Sequence, residues 1–233
     1  MKTLIARISL PILVLMTLSA CRSGETEPWH GILRQYAPDT DVQELLLVRS
    51  TSGSDAVVRY YTRSGRGWRL DTEGPAYIGK NGLGKTREGD AMTPEGDFGV
   101  LTAFGIQPDP GTALPWLPVT ESIFACDEEG PWYNRIIDTA AVHHSCKGED
   151  MFHTAPEYNY GMALDYNAAC NYPDGSAIFF HCKGAKTWTG GCIAVDESFM
   201  KHILDLIPLI RQRLDHLYKM RLIYRPHLIR RQG

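Results

Sequence analysis

His181 and Cys192 are the side chains in this sequence whose types and spacing admit covalent chemistry. The histidine ends the apolar run Ile178-Phe179-Phe180. A loop through Lys183, Gly184, Thr187 and Trp188 follows, and the chain then reads Thr189-Gly190-Gly191-Cys192-Ile193-Ala194-Val195. A thiol attacks as its thiolate, and a neighbouring imidazolium lowers the thiol pKa enough to populate that form near neutral pH. A histidine at the end of one strand and a cysteine at the start of the next can meet at one edge of a sheet. Glycines at 190 and 191 let the backbone approach closely and turn its N–H groups toward a carbonyl oxygen that becomes negative in a tetrahedral intermediate. Nucleophile, base and oxyanion hole thus fit one strand–loop–strand unit, although a histidine and a cysteine at such spacing also occur as structural residues.

The elements that must hold this unit read as mainly β. The chain has 22 glycines and 14 prolines, and no long helical pattern precedes residue 196. Residues 57–62 and 67–71 form a predicted hairpin about Ser64-Gly65, since β-branched and aromatic residues crowd both runs. Turn chemistry at 93–98 leads into an apolar stretch at 98–104, and further strands are expected at 160–167, 176–181 and 192–195. After Asp196, a good N-cap, Phe199, Met200, Ile203, Leu204 and Ile207 recur at helical spacing until Pro208 interrupts. Residues 79–89 carry four glycines and are a loop; nucleotide-binding glycine spacing is absent. The stretch from 108 to 138, rich in Pro, Trp and acidic residues, is an elaborated loop region able to wall a cleft or to lie idle on the surface.

Across 233 residues the net charge is only -3, which gives no electrostatic reason to expect nucleic acid as a partner. His143, His144, Cys146, His153, His181, Cys182 and Cys192 have metal-ligand chemistry but lack paired short spacings, so no metal and no cofactor are expected. Cys182 alternates away from His181 and is a disulfide candidate with Cys146 or Cys170. Together with Cys126, these four cysteines allow three full pairings.

The N-terminal segment carries Lys2 and Arg7, an apolar run at 8–18, and small residues before Cys21. Leu18-Ser19-Ala20-Cys21 resembles the lipobox of bacterial lipoproteins. That resemblance implies a signal peptide at 1–20, lipidation of Cys21, and an exported protein anchored to a membrane in the cell envelope. A polar tether and N-terminal extension is expected at 21–54, and a basic tail, read as a solvated helix, at 208–233.

The His181 to Cys192 segment resembles the L,D-transpeptidase catalytic domain, or YkuD-like, family, in which a histidine is followed after a loop by Ser/Thr-x-Gly-Cys. His181, Thr189, Gly191 and Cys192 match it. Gly82-Leu83-Gly84-Lys85-Thr86-Arg87-Glu88-Gly89, Thr93-Pro94-Glu95-Gly96-Asp97-Phe98 and residues 160–167 look like the family's upstream regions. The likeness covers residues 55–207, the expected catalytic domain. It implies a β-sandwich or barrel with a helix packed after the cysteine, and a thiolate that attacks the bond between an L-centre and D-alanine in peptidoglycan stem peptides. Cys192 would be the nucleophile, His181 the base and then acid, and the backbone of Gly191 and Cys192 the oxyanion donors. Thr189 would support the histidine or the substrate, and Gly190 and Tyr160 would contact substrate. An amine resolving the thioester gives a cross-link, whereas water makes the enzyme a carboxypeptidase. Many members place arginine two residues after the cysteine and glycine directly after the histidine. Here Ala194 and Cys182 stand there, which leaves transfer and hydrolysis both open, along with a non-catalytic binding lipoprotein.

Overall fold

The computed structural model describes residues 29–207 and 219–224. The segment expected to be a signal peptide, Cys21 and most of the basic tail lie outside the described residues.

A single curled sheet organises the chain. Its strands are β1 (Val42–Ser52), β2 (Asp55–Ser64), β3 (Gly67–Tyr77), β4 (Gly96–Gly105), β5 (Trp116–Pro118), β9 (Gly161–Leu164), β10 (Phe179–Cys182), β11 (Ile193–Val195) and β12 (Lys219–Tyr224), in the order β12-β1-β2-β3-β11-β10-β9-β4-β5. Because β12 also pairs with β4, the sheet closes on itself, and β5 extends from β4 outside the ring. Closure removes the open edges that a flat sheet of this size would expose. A smaller sheet, β7-β6-β8, is built from β6 (Ile123–Cys126), β7 (Arg135–Asp138) and β8 (Gly148–Asp150). The helices are α1 (His30–Tyr36) and α2 (Glu197–Leu206).

Alternation along the strands sorts the apolar residues into separate cores. Phe180 and Cys182 of β10, Ile193 and Val195 of β11, and Leu46 and Val48 of β1 join Met200, Ile203 and Leu204 of α2 in the largest. The intervening residues Phe179 and Cys192 face the other way and join Ile123 and Ala125 of the small sheet. Full burial of Phe180 or Ile193 is worth roughly 1.5–3 kcal/mol each, which holds β10 and β11 in this register.

Two expected boundaries need correction. Residues 42–52 are not tether: Val42, Leu45 and Leu47 pack beneath Trp29, Ile32 and Tyr36 of the α1 region, while Leu46 and Val48 enter the main core. A strand buried on both faces reads as the unbroken run Leu45-Leu46-Leu47-Val48 instead of an alternation. At the other end, Lys219–Tyr224 is a strand and not part of a helical tail, since its backbone supplies the ladder that joins β1 to β4.

The expected hairpin, the strands around β9, β10 and β11, and the helix after Asp196 are all present, and the apolar stretch at 98–104 lies in β4. Asp196 makes no side-chain cap bond, because its carboxylate is paired with Lys183 Nζ at 3.2 Å.

Candidate active site

Phe180 pairs with Ile193 and His181 with Ala194 in the parallel β10–β11 ladder, which sets Cys192 level with Phe179. Phe179, His181 and Cys192 therefore project from the same face, toward the small sheet. His181 and Cys192 are diagonal neighbours, a relation that long side chains bridge. Both line one cavity of about 330 Å³.

The imidazole is fixed in one tautomer. His181 Nδ1 lies 2.7 Å from the carbonyl oxygen of Cys182, and since a carbonyl can only accept, Nδ1 carries the hydrogen and Nε2 keeps its lone pair. The group orienting the imidazole is thus a backbone carbonyl, which no reading of side-chain types could have named. The ring of Tyr158 stands edge-on to the imidazole, with centroids 5.4 Å apart, and its hydroxyl donates to Glu149 Oε2. Burial pushes the His181 pKa below its usual 6.5, with the Cys182 carbonyl and Glu157 opposing, so the ring is neutral at pH 7.

The thiol is also neutral at rest. Burial, reinforced by Glu149, pushes Cys192 up to about 12, outweighing the Phe179 N–H bond and the Lys85 charge. Its sulfur accepts from Phe179 N–H at 3.3 Å and donates to Ala177 O at 3.1 Å. The expected imidazolium–thiolate pair is therefore corrected to a neutral thiol beside a neutral base, because both side chains are largely withdrawn from water.

Thr189 and Gly191 also take different roles from those expected. Thr189 Oγ1 donates to the Cys192 carbonyl at 2.6 Å and accepts Gly191 N–H at 3.1 Å. The threonine thus closes the turn that carries Cys192 and makes no bond to the histidine, and the Gly191 N–H is already taken. Thr93, fully buried, donates to the same Cys192 carbonyl at 3.3 Å and accepts Gly79 N–H at 2.8 Å. The Thr-Pro-Glu-Gly stretch that signals the family in sequence therefore holds the backbone of the candidate nucleophile. Gly191 has φ +151°, and a Cβ there would sit 2.9 Å from the Met92 carbonyl oxygen, so the position requires glycine. Gly190 lines the cavity, but a Cβ there would meet nothing.

Tyr160 is not at the cavity; it packs in the α2-side core beside Trp116. Tyr158 occupies the place expected of it. Sequence reasoning also missed the ionisable lining: Glu88, Asp127, Glu149 and Glu157, with Lys85 and Lys186. Burial raises the pKa of Asp127, with Glu88 adding to it, and burial likewise raises Glu149 against the Tyr158 hydrogen bond. Asp127 belongs to the 108–138 stretch, so part of that region does wall the cleft.

Cys126 and Cys146 form a disulfide, with Cα atoms 5.9 Å apart. Cys182 is instead a free buried thiol donating to Tyr160 O, since its side chain points into the α2-side core, away from the loop that carries Cys146. His143 and His144 line a second cavity and not the one at Cys192, while His153 is exposed and paired with Asp150. Among the described residues, Cys126, His144 and Cys146 cluster closely enough to suit a metal ion, but the disulfide occupies both sulfurs.

The sequence model of the family described as L,D-transpeptidase catalytic domain, YkuD, matches residues 50–213. No curated protein sequence matches the chain. Among solved structures, the chain is similar to the helical cell shape determining protein Pgp2 from Campylobacter jejuni. A point variant of Pgp2 gives 17% identity, 80% of this chain, 48% of that chain and TM-score 0.46; a second Pgp2 crystal structure gives 14%, 84%, 55% and 0.44. Bd1075 from Bdellovibrio bacteriovorus gives 17%, 78%, 47% and 0.42. The chain thus spans about half the length of those proteins. With the family match extending over most of the described residues, the chain belongs to the L,D-transpeptidase catalytic domain family, YkuD.

Proposed function

We propose that this protein is a peptidoglycan-modifying cysteine enzyme that passes a stem-peptide acyl group through a thioester on Cys192. The observation that carries the reading is the shared face of His181 and Cys192, opening on one cavity with the imidazole held so that Nε2 is free. In the first step the S–H swings from the Ala177 carbonyl to Nε2 and the sulfur attacks the carbonyl carbon of an L-centre. His181 takes the proton as the C–S bond forms, and the carbonyl oxygen becomes an oxyanion. With Gly191 N–H engaged by Thr189, the N–H of Cys192 is the donor left from the expected pair. As the tetrahedral centre collapses, the C–N bond breaks and Nε2 returns the proton to the departing amine, leaving the thioester. An incoming amine then gives up its proton to Nε2, attacks the thioester carbon and releases the thiol. Water in that place yields the hydrolysed stem instead.

Because both reacting groups are neutral at rest, proton transfer and attack are coupled, and before substrate binds the thiolate is a minor form of Cys192. The enzyme would sit in the cell envelope, attached through lipid on Cys21; the lipobox resemblance supports that placement.

Purified protein incubated with tetrapeptide stems, with and without an acceptor amine, tests the reading by mass analysis of the products. Cross-linked dimer identifies transfer, and tripeptide alone identifies hydrolysis. Neither product, with Cys192 intact and reactive, would reject the stem-peptide substrate.

A further inference from the structure

Lys85 is the unexpected charge beside the nucleophile's turn. Its side chain is 2% exposed, and Nζ is 3.0 Å from Asp90 Oδ1, on a carboxylate only 8% exposed itself. Two glycines make room for it. A Cβ at Gly175 would fall 2.3 Å from Lys85 Cε, and one at Gly191, the residue before Cys192, would fall 3.6 Å from Nζ. The lysine therefore runs through a passage that side chains at 175 or 191 would narrow, and its ammonium arrives next to the turn that carries the sulfur.

Asp90 is built to hold that ammonium. Besides Lys85 it accepts the backbone N–H groups of Thr86, Arg87 and Met92, which fixes the carboxylate independently of the lysine. Burial of the carboxylate is more than offset by these bonds, so the partner stays ionised. Of the three N–H groups on Nζ, Asp90 is the described hydrogen-bond partner of one. Burying an ammonium is costly unless its partners are well placed, and one aspartate alone does not complete its donor set. Lys85 also lines the cavity that contains Cys192 and His181.

We propose that Lys85 Nζ is the carboxylate-binding group of this cavity, seating the anionic end of a substrate beside Cys192. It would supply from the 85–90 loop the cation that many family members place two residues after the cysteine, where this chain has Ala194. Ala194 is 4% exposed and carries no charge, so β11 itself offers no anion contact there. The carboxylates Glu88, Asp127, Glu149 and Glu157 also line the cavity and would repel an anion elsewhere in it, which confines a substrate carboxylate to the Lys85 side. The inference rests on the cavity being the reaction site.

Iodoacetate and iodoacetamide differ by a single carboxylate and both alkylate the thiolate, so the ratio of their rates at one sulfur is independent of that sulfur's pKa. The ratio is to be measured at Cys192 by peptide mass spectrometry, in a Cys170→Ser background that removes the accessible free thiol. Lys85→Met should lower the iodoacetate-to-iodoacetamide ratio by about ten-fold or more, the scale of one charge-assisted contact, while Lys85→Arg keeps it near the parent value. Lys186→Met removes an equal charge from the same cavity and should leave the ratio nearly unchanged. Should Lys85→Met unfold, the double variant Lys85→Met/Asp90→Asn, which leaves no unpaired buried charge, gives the same readout. An unchanged ratio on loss of Lys85, or an equal fall on loss of Lys186, overturns the proposal while Cys192 remains a reactive nucleophile. A Cys192 inert to both reagents in the parent overturns the active-site reading as well.

Discussion

The Nδ1–H of His181 donates to the carbonyl oxygen of Cys182 at 2.7 Å, so the base is oriented by the backbone of its own strand and presents Nε2 to the cavity. Carbonyl and ring are one residue apart, and no change of side chain at 182 abolishes the bond. Cys182→Ser should therefore retain activity, whereas His181→Gln, which cannot take up a proton, should lower kcat by about 10²–10⁴-fold. The pH profile carries a sign. Burial lowers the His181 pKa, so the base stays unprotonated further into acid than a free imidazole would. The acid limb of kcat/KM should have its midpoint below 6.5; a midpoint above 6.5 would contradict the neutral pair.

The two glycines before Cys192 should differ sharply on substitution. Gly191→Ala forces a Cβ to within 2.9 Å of Met92 O at a φ of +151°, and should cost about 1–3 kcal/mol of stability and displace the sulfur. Gly190→Ala meets no atom and should fold normally. Thermal melts of the two variants check this, and equal destabilisation would contradict it.

Asp90 should make the fold acid-sensitive. Although burial opposes ionisation, the Thr86, Met92 and Arg87 N–H groups and Lys85 hold its carboxyl down to about 2, against an ordinary 3.8. A folded pKa below the unfolded one contributes stability that is fully present above pH 3.8 and is lost as the pH falls through about 2. The difference corresponds to about 2 kcal/mol at neutral pH. Denaturant titrations from pH 6 down to pH 2 should show that loss in the parent and a smaller one in Asp90→Asn.

The Cys126–Cys146 bond closes a loop with a sequence separation of 20 residues around the small sheet that backs the cavity. Reduction, or Cys126→Ser with Cys146→Ser, should lower stability by roughly 3 kcal/mol. Differential scanning calorimetry with and without reductant measures it, and an unchanged melting temperature would contradict the pairing.

The candidate site was legible where its geometry depends on residues in a short window. His181 and Cys192 stand within one strand–loop–strand unit, and the register of β10 against β11 places them on a common face. What the sequence hid depends on distant contacts. Lys85 and Thr93 reach the cysteine's turn from a loop about a hundred residues earlier, and nothing local marks them as neighbours of Cys192. Thr189, expected to support the histidine or the substrate, instead bonds the backbone of its own turn, a partner that residue type alone does not reveal. β1 escaped notice because a strand buried on both faces lacks alternation. β12 was masked by basic residues, although Met220, Leu222 and Tyr224 alternate with Lys219, Arg221 and Ile223 in a way that fits a strand. The disulfide partner of Cys146 could not be chosen from spacing, since the choice depends on which cysteine points into the α2-side core.

Intact-mass analysis of the protein quenched in acid during turnover of a tetrapeptide stem bears most directly on Cys192 as the acyl carrier. The expected result is a tripeptidyl adduct on the chain, mapped by fragmentation to Cys192, absent in Cys192→Ala and accumulating slowly if at all in His181→Gln. Turnover without any adduct at Cys192, or with Cys192→Ala fully active, would contradict the thioester route.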